Sequence, residues 1–266
     1  MRVVFSRVLA GAALAVLLVM GNNAGADAAQ VTRTLEENTR ITPPGVIVAK
    51  RSEIPMFKKG TVVTLNEYGE VLEGTLAEDI SLPYETGKSE GAARMSYTPP
   101  TYMYVPMYVD SGPRYRILPF KGDTRVVFND RGEVVFGTIS GAAQSIMLDY
   151  SNHILVADGE ISFHKNGMLA SCTLNDDSFL RPAGWQQLLN DNFKDNVACP
   201  GYVEFKGKKP VKLNEKGEVL FGTLDKDTKL PGYNKFATGV VAKLLYEAGT
   251  EVELDGKGVV VKATKK

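Results

Sequence analysis

Among its 266 residues the chain has only two cysteines, two histidines and one tryptophan. That scarcity narrows the chemistry at once. His153 and His164 show no metal-ligand spacing, and the acidic residues form no D-x-D-x-D-G run, so no metal site and no cofactor are expected. There is no G-x-S-x-G, no phosphate-binding glycine loop, no H-E-x-x-H and no dinucleotide glycine pattern. Ser162-Phe-His-Lys165 matches S-x-x-K, yet it lies across a strand and its turn, where that catalysis expects a helix. Net charge is also lacking: 31 basic residues balance 31 acidic ones. A neutral chain has no electrostatic attraction for nucleic acid or for an anionic membrane.

Long apolar runs are absent except at the N-terminus. Arg2 and Arg7 precede an apolar stretch from Val8 to Met20, and Ala24-Gly-Ala26 and Ala26-Asp-Ala28 offer small-residue cleavage patterns. This reads as a secretory signal peptide over 1–28, too short for a stable membrane anchor. No cysteine near the cleavage region offers a lipid attachment point. Cleavage after Ala28 removes Arg2, Arg7 and Asp27, which leaves the balance of charge almost unchanged. The mature chain is expected to be exported, periplasmic or at the cell surface, with no integral membrane segment.

What is present in quantity is glycine, 26 residues, and much of it is periodic. A twelve-residue frame reads Leu65-Asn-Glu-Tyr-Gly-Glu-Val-Leu-Glu-Gly-Thr-Leu76, then Phe128-Asn-Asp-Arg-Gly-Glu-Val-Val-Phe-Gly-Thr-Ile139, then Leu213-Asn-Glu-Lys-Gly-Glu-Val-Leu-Phe-Gly-Thr-Leu224. Weaker copies run from Phe163 to Leu174 and from Leu254 to Thr264. Internal repetition sets the architecture before any propensity argument does. Each frame predicts a β-hairpin. Asn or Asp can bond the backbone two residues on, and Gly69, Gly132, Gly167, Gly217 and Gly258 supply the positive φ of a three-residue loop with a bulge. Upstream, Val63/Leu65, Val126/Phe128, Ile161/Phe163, Val211/Leu213 and Val252/Leu254 alternate, which buries one face of the first strand. Downstream, the pattern suggests that Leu72, Gly74 and Leu76 share a face, as do Leu220, Gly222 and Leu224. The small residue implies close approach of a neighbour.

A tail with aspartates Asp79, Asp177 and Asp227 follows three of the frames. These side chains read either as calcium ligands or, more simply, as caps of local turns. The turn positions Asn66, Asn129, His164, Asn214 and Asp255 are unevenly spaced, so insertions of different length separate similar hairpins. The expected fold is mainly β: an antiparallel hairpin-repeat array forming a curved or rolled sheet, with one short helix. It comprises a lobe at 29–117 with a Tyr/Pro-rich insertion, and C-terminal repeats over 118–266.

Two insertions carry the candidate residues. Between Tyr97 and Phe120, tyrosines interleave with prolines; Tyr102, Tyr104 and Tyr108 could contact a glycan or a protein, or cover a sheet edge. Between Cys172 and Cys199, Pro182 to Phe193 predicts a helix with Trp185, Leu188, Leu189 and Phe193 on one face. In an exported chain an isolated cysteine pair most often bonds. Closing the loop between these two would stabilise by about 3.6 kcal/mol on the chain-entropy model.

The run Leu-Asn-x-x-Gly-x-Val-x-x-Gly, at Leu65–Gly74 and Leu213–Gly222, resembles the cell-wall-binding repeats of choline- and glucan-binding type in exported bacterial proteins. It is also similar to MORN-type hairpin repeats. Those wall-binding repeats cage ligand with Trp and Tyr, whereas the matching positions here hold mostly Val, Leu, Thr or Gly. The resemblance implies hairpin architecture and an envelope setting. The expected function is a non-catalytic exported envelope or surface protein binding a partner protein or polysaccharide. The alternative is a periplasmic or secreted hydrolase or inhibitor with an unrecognised active site.

Overall fold

A computed structural model describes residues 30–46, 53–84, 117–148, 153–156, 159–189, 201–233 and 241–265. In chain order, β1 (Val31–Thr34) is followed by the short pair β2 (Thr39–Arg40) and β3 (Met56–Phe57). The first repeat hairpin is β4 (Val62–Leu65) with β5 (Val71–Thr75), followed by the pair β6 (Ile80–Pro83) and β7 (Ile117–Phe120). The second is β8 (Arg125–Phe128) with β9 (Val134–Ile139), followed by β10 (Gln144–Met147) and β11 (His153–Val156). The third is β12 (Gly159–Phe163) with β13 (Leu169–Thr173), followed by β14 (Ser178–Leu180) and β15 (Val203–Phe205). The fourth is β16 (Pro210–Leu213) with β17 (Val219–Thr223), followed by β18 (Thr228–Tyr233) and β19 (Val241–Tyr246). The fifth is β20 (Thr250–Leu254) with β21 (Val260–Lys265).

The five hairpins lie side by side, each antiparallel to the next, in one sheet that starts at β1, runs through β4, β5 and so on to β21, and ends on β18, which pairs β21 in parallel, and on β19. It is open, not a closed barrel. The pairing Glu73↔Val127 joins strands on either side of residue 118 within this sheet.

Each hairpin is preceded by a strand pair: β2/β3 lies between β1 and the first, and β6/β7, β10/β11, β14/β15 and β18/β19 connect the five in turn. Residues 47–52, 85–116, 149–152, 190–200 and 234–240, all outside the description, fall between the two strands of such a pair. The uneven spacing of the frames therefore comes from this second set of pairs, while the repeat hairpins keep their length. Two of these pairs, β6/β7 and β18/β19, bond to the sheet itself, and buried side chains of the second set join those of the sheet in a single core, whose largest fully buried side chains include Phe57, Phe120 and Phe205.

Each repeat turn is built as the sequence dictates. In the first, Gly69 N–H donates to Asn66 O (3.0 Å) and Asn66 N–H to Glu70 O (2.9 Å). The Asn66 Oδ1 accepts from the N–H groups of Tyr68 and Glu70, and its Nδ2 donates to Glu70 Oε2 (2.7 Å). The same bonds recur at Asn129/Glu133 and Asn214/Glu218. The five turn glycines all have positive φ, from 72° to 84°.

Two expectations need correcting. The register slips by one residue beside each of these turns, so Leu65 faces Val71 while Thr64 faces Glu73. The extra residue turns Leu72 outward and makes Val71, not Leu72, the inner-face partner of Gly74 and Leu76. The same bulge puts Val219 rather than Leu220 inside. Of the helix expected from Pro182 to Phe193, the described residues form a single 310 turn, Trp185–Leu189. Pro182 is instead bridged to Val219, and Ala183 N–H donates to Val219 O, so this segment is held by a strand before any helix can start.

Candidate functional site

With the inner face covered, the outer face of the sheet is the largest surface on which the repeat presents side chains in order. A continuous row of cross-strand partners traverses it: Thr32, Thr64, Glu73, Val127, Phe136, Ser162, Ser171, Lys212, Phe221, Glu253 and Lys262. At roughly 4.8 Å per strand, that row is about 48 Å long. A second row comes from the threonine of the frame: Thr75 faces Arg125 and Thr138 faces Glu160, while Thr223, which faces Glu251, is buried. Strand alternation explains the division, since Gly74 and Leu76 point inward and Thr75 between them points outward.

The row is partly aromatic and carries its own cations. Arg125 lies 5.2 Å from the ring centre of Phe136 and donates from Nε to Glu73 Oε1 at 2.7 Å. The bond to Glu73 raises the Arg125 pKa, so the guanidinium stays charged. Lys212 lies 5.9 Å from the ring centre of Phe221. Both rings are half-buried. Four strand steps, about 19 Å, separate them. Ser162 and Ser171 share a hydrogen bond of 2.7 Å midway along the row.

Of the described residues singled out from sequence, neither Trp185 nor Cys172 belongs to this row. Trp185 stands under Arg181, whose guanidinium carbon is 4.3 Å from the Trp185 ring and 5.1 Å from that of Tyr202. A Cβ on Gly201 would meet the Trp185 ring at 2.8 Å, so the indole is packed on its loop. Tyr102, Tyr104, Tyr108 and Cys199 lie outside the described residues. Cys172 is buried, its thiol is free, and burial pushes its pKa up to about 12. Pairing of Cys172 with Cys199 is therefore carried forward as a prediction.

The tail aspartates cap backbone, though not locally. Asp79 Oδ1 accepts from Gly122 N–H at 2.7 Å, Asp177 from Gly207 N–H at 2.7 Å and Asp227 from Ala248 N–H at 2.8 Å. Each ties one repeat to the turn that opens the next. In the second frame Ala142 stands where the aspartate would, and Ser140 Oγ donates back to Asp79. That bond, and then the Gly122 N–H, hold the Asp79 carboxyl below its usual range. His164 does not cap its own turn. Its Nε2 bonds Leu213 O at 2.9 Å, and Asn166 accepts from Met168 N–H and donates to Glu215 O. Among the described residues there is no group of three or more His, Cys, Asp or Glu side chains able to hold a metal ion. No described helix is long and apolar enough to cross a membrane.

The chain matches no family model, no curated protein and no solved structure. The outer-face row was present in the sequence as the residues between the buried positions, but the bulge hid which of them share a face.

Proposed function

We propose that this is a non-catalytic, exported envelope or surface protein that binds a partner protein or polymer across the outer face of its sheet. The observation carrying this reading is the ordered row running past Phe136 and Phe221, with Arg125 and Lys212 poised over the rings. Aromatic faces and cations on a rigid scaffold are the side chains that dominate contact surfaces. The Ser162 and Ser171 hydroxyls between them suit hydrogen bonding to a sugar or a main chain.

The test is capture of ligand by the immobilised exported chain from cell-envelope extract, in parallel with a glycan array. Replacing both rings, Phe136→Thr with Phe221→Thr, keeps strand-forming residues on the face. Loss of the captured species by a chain that still melts cooperatively supports the reading. Retention at undiminished level by the double variant overturns it.

A further inference from the structure

The sheet ends on β19, whose only sheet neighbour among the described residues is β18. Its outer edge thus offers main-chain donors and acceptors with no described strand beside them, the template on which another strand can pair. Proline and a bulge, two of the usual protections, are missing. The strand Val241-Ala-Lys-Leu-Leu-Tyr246 contains no proline, keeps an unbroken register with β18, and includes one charge. Val241 and Leu245 are 46% and 59% exposed, and Tyr233, directly opposite Val241 on β18, is 47% exposed. The strand at the other end, β1, is polar from Thr32 to Thr34 and carries Arg33.

We propose that two copies of this chain pair antiparallel through β19 about a two-fold axis at Leu244. The strand is self-complementary in that register and poorly so in its neighbour. Centred on Leu244, Leu244 faces its own copy and Ala242 faces Tyr246 of the second copy. On the other side of the sheet, Lys243 faces the second copy's Leu245 and lies diagonal to its Glu247. Centred instead on Lys243, the two lysines would face each other, which destabilises a cross-strand pair. A two-fold contact uses this edge completely and leaves no β19 surface for a third copy, so the assembly stops at two.

The register makes opposite charges at one exposed position behave oppositely. Sedimentation velocity of the exported chain, from about 1 to 200 μM, should show a mass rising from one to two copies. Leu245→Lys sets a lysine against Lys243 twice per dimer and should weaken association by about tenfold or more. Leu245→Glu sets a carboxylate there and should preserve or tighten it. Leu245 is solvent-exposed, and circular dichroism melts of both variants check that the fold is retained. A chain that is a monomer throughout overturns the proposal. So does equal loss of association in the two variants, which would mean a non-specific apolar contact, or an unchanged dimer with Leu245→Lys.

Discussion

Phe57 lies so close over Gly74 that a Cβ on the glycine would stand 2.5 Å from Phe57 Cδ1. Phe120 covers Gly137 and Phe205 covers Gly222 in the same way, each at 2.6 Å. In the third repeat, Val156 is bridged to Leu174 as Phe57 is to Leu76 and Phe205 to Leu224, and Cys172 stands where the glycine would. A smaller side chain above is matched by a larger one below. Gly222→Ala should therefore cost about 1–3 kcal/mol through overpacking. Combined with Phe205→Val, the pair should be less destabilising than the sum of the single changes, as urea denaturation of the four chains would reveal. Strict additivity would show that the two positions do not share the space.

The turns carry a second compensated pair. Asn214 donates its Nδ2 to Glu218, but in the fifth repeat Asp255 occupies the first position and Val259 the second. Asp255 Oδ1 still accepts both turn N–H groups, at 2.9 Å each. Asn214→Asp alone should destabilise at neutral pH, because it places a carboxylate against Glu218 and removes that donor. Asn214→Asp with Glu218→Val should recover most of the loss. Asn214→Ala should cost about 1–2 kcal/mol, since it leaves two turn N–H groups without their acceptor. Thermal melts at neutral pH rank the three, and a double variant no better than Asn214→Asp would refute the pairing.

Much of this was legible from Asn and Gly at fixed offsets, because a hairpin turn with positive φ tolerates few residue types. The turn that precedes each hairpin was not. Its left-handed position is filled by Gly60, Asp123, Lys208 and Gly249, with φ of 77°, 60°, 57° and 79°, so no single residue marks it. The strands of the second set are as short as two residues, too few for alternation to mark them. The partners of the tail aspartates lie 21 to 43 residues away, beyond any local reading. The outer-face row was hidden by the bulge, which reverses the phase of each second strand after its turn.

That left-handed position yields a prediction of opposite signs. Lys208 holds a φ of 57° and Gly217 one of 76°. Lys208→Gly removes the Cβ strain of that conformation and should raise stability by about 0.5 kcal/mol. The bond it gives up, from Lys208 Nζ to Asn175, is exposed. Gly217→Val forces a β-branched residue into the left-handed region and should cost about 1–3 kcal/mol. Lys216→Val beside it should be close to neutral. Melting temperatures that fail to separate Gly217→Val from Lys216→Val would contradict the turn geometry.

Asp79 links stability to acid pH. Its folded pKa is lowered from 3.8, first by the Ser140 hydroxyl and then by the Gly122 N–H. The stabilisation is thus present above the unfolded value and is lost as pH falls through the folded one. Asp79→Asn should flatten the acid limb of a plot of melting temperature against pH, and Ser140→Ala, which returns the folded pKa toward the unfolded value, should flatten it in part. An acid limb identical in all three chains would remove Asp79 from the linkage.

Cys172 separates a reduced from an oxidised state of the chain. Its thiol is pushed to about 12 by burial. Almost no thiolate, the reactive form, therefore exists near neutrality. A reduced chain should resist iodoacetamide at Cys172 in native buffer at about pH 8 and react there in urea. The raised pKa also fixes the sign of the linkage. Stability from burying this neutral thiol is complete below the unfolded value of 9.0 and fades as pH rises through about 12. If export oxidises the predicted pair, the isolated protein is two hydrogens lighter than its reduced form, and a peptide joining Cys172 to Cys199 appears in a non-reducing digest. Reduction should then loosen the segment between them before the outer hairpins, read as faster amide exchange at 175–198. An unshifted intact mass, with Cys199 alkylated by itself in native buffer, would reject the bridge and leave Cys172 as a packing residue in place of glycine.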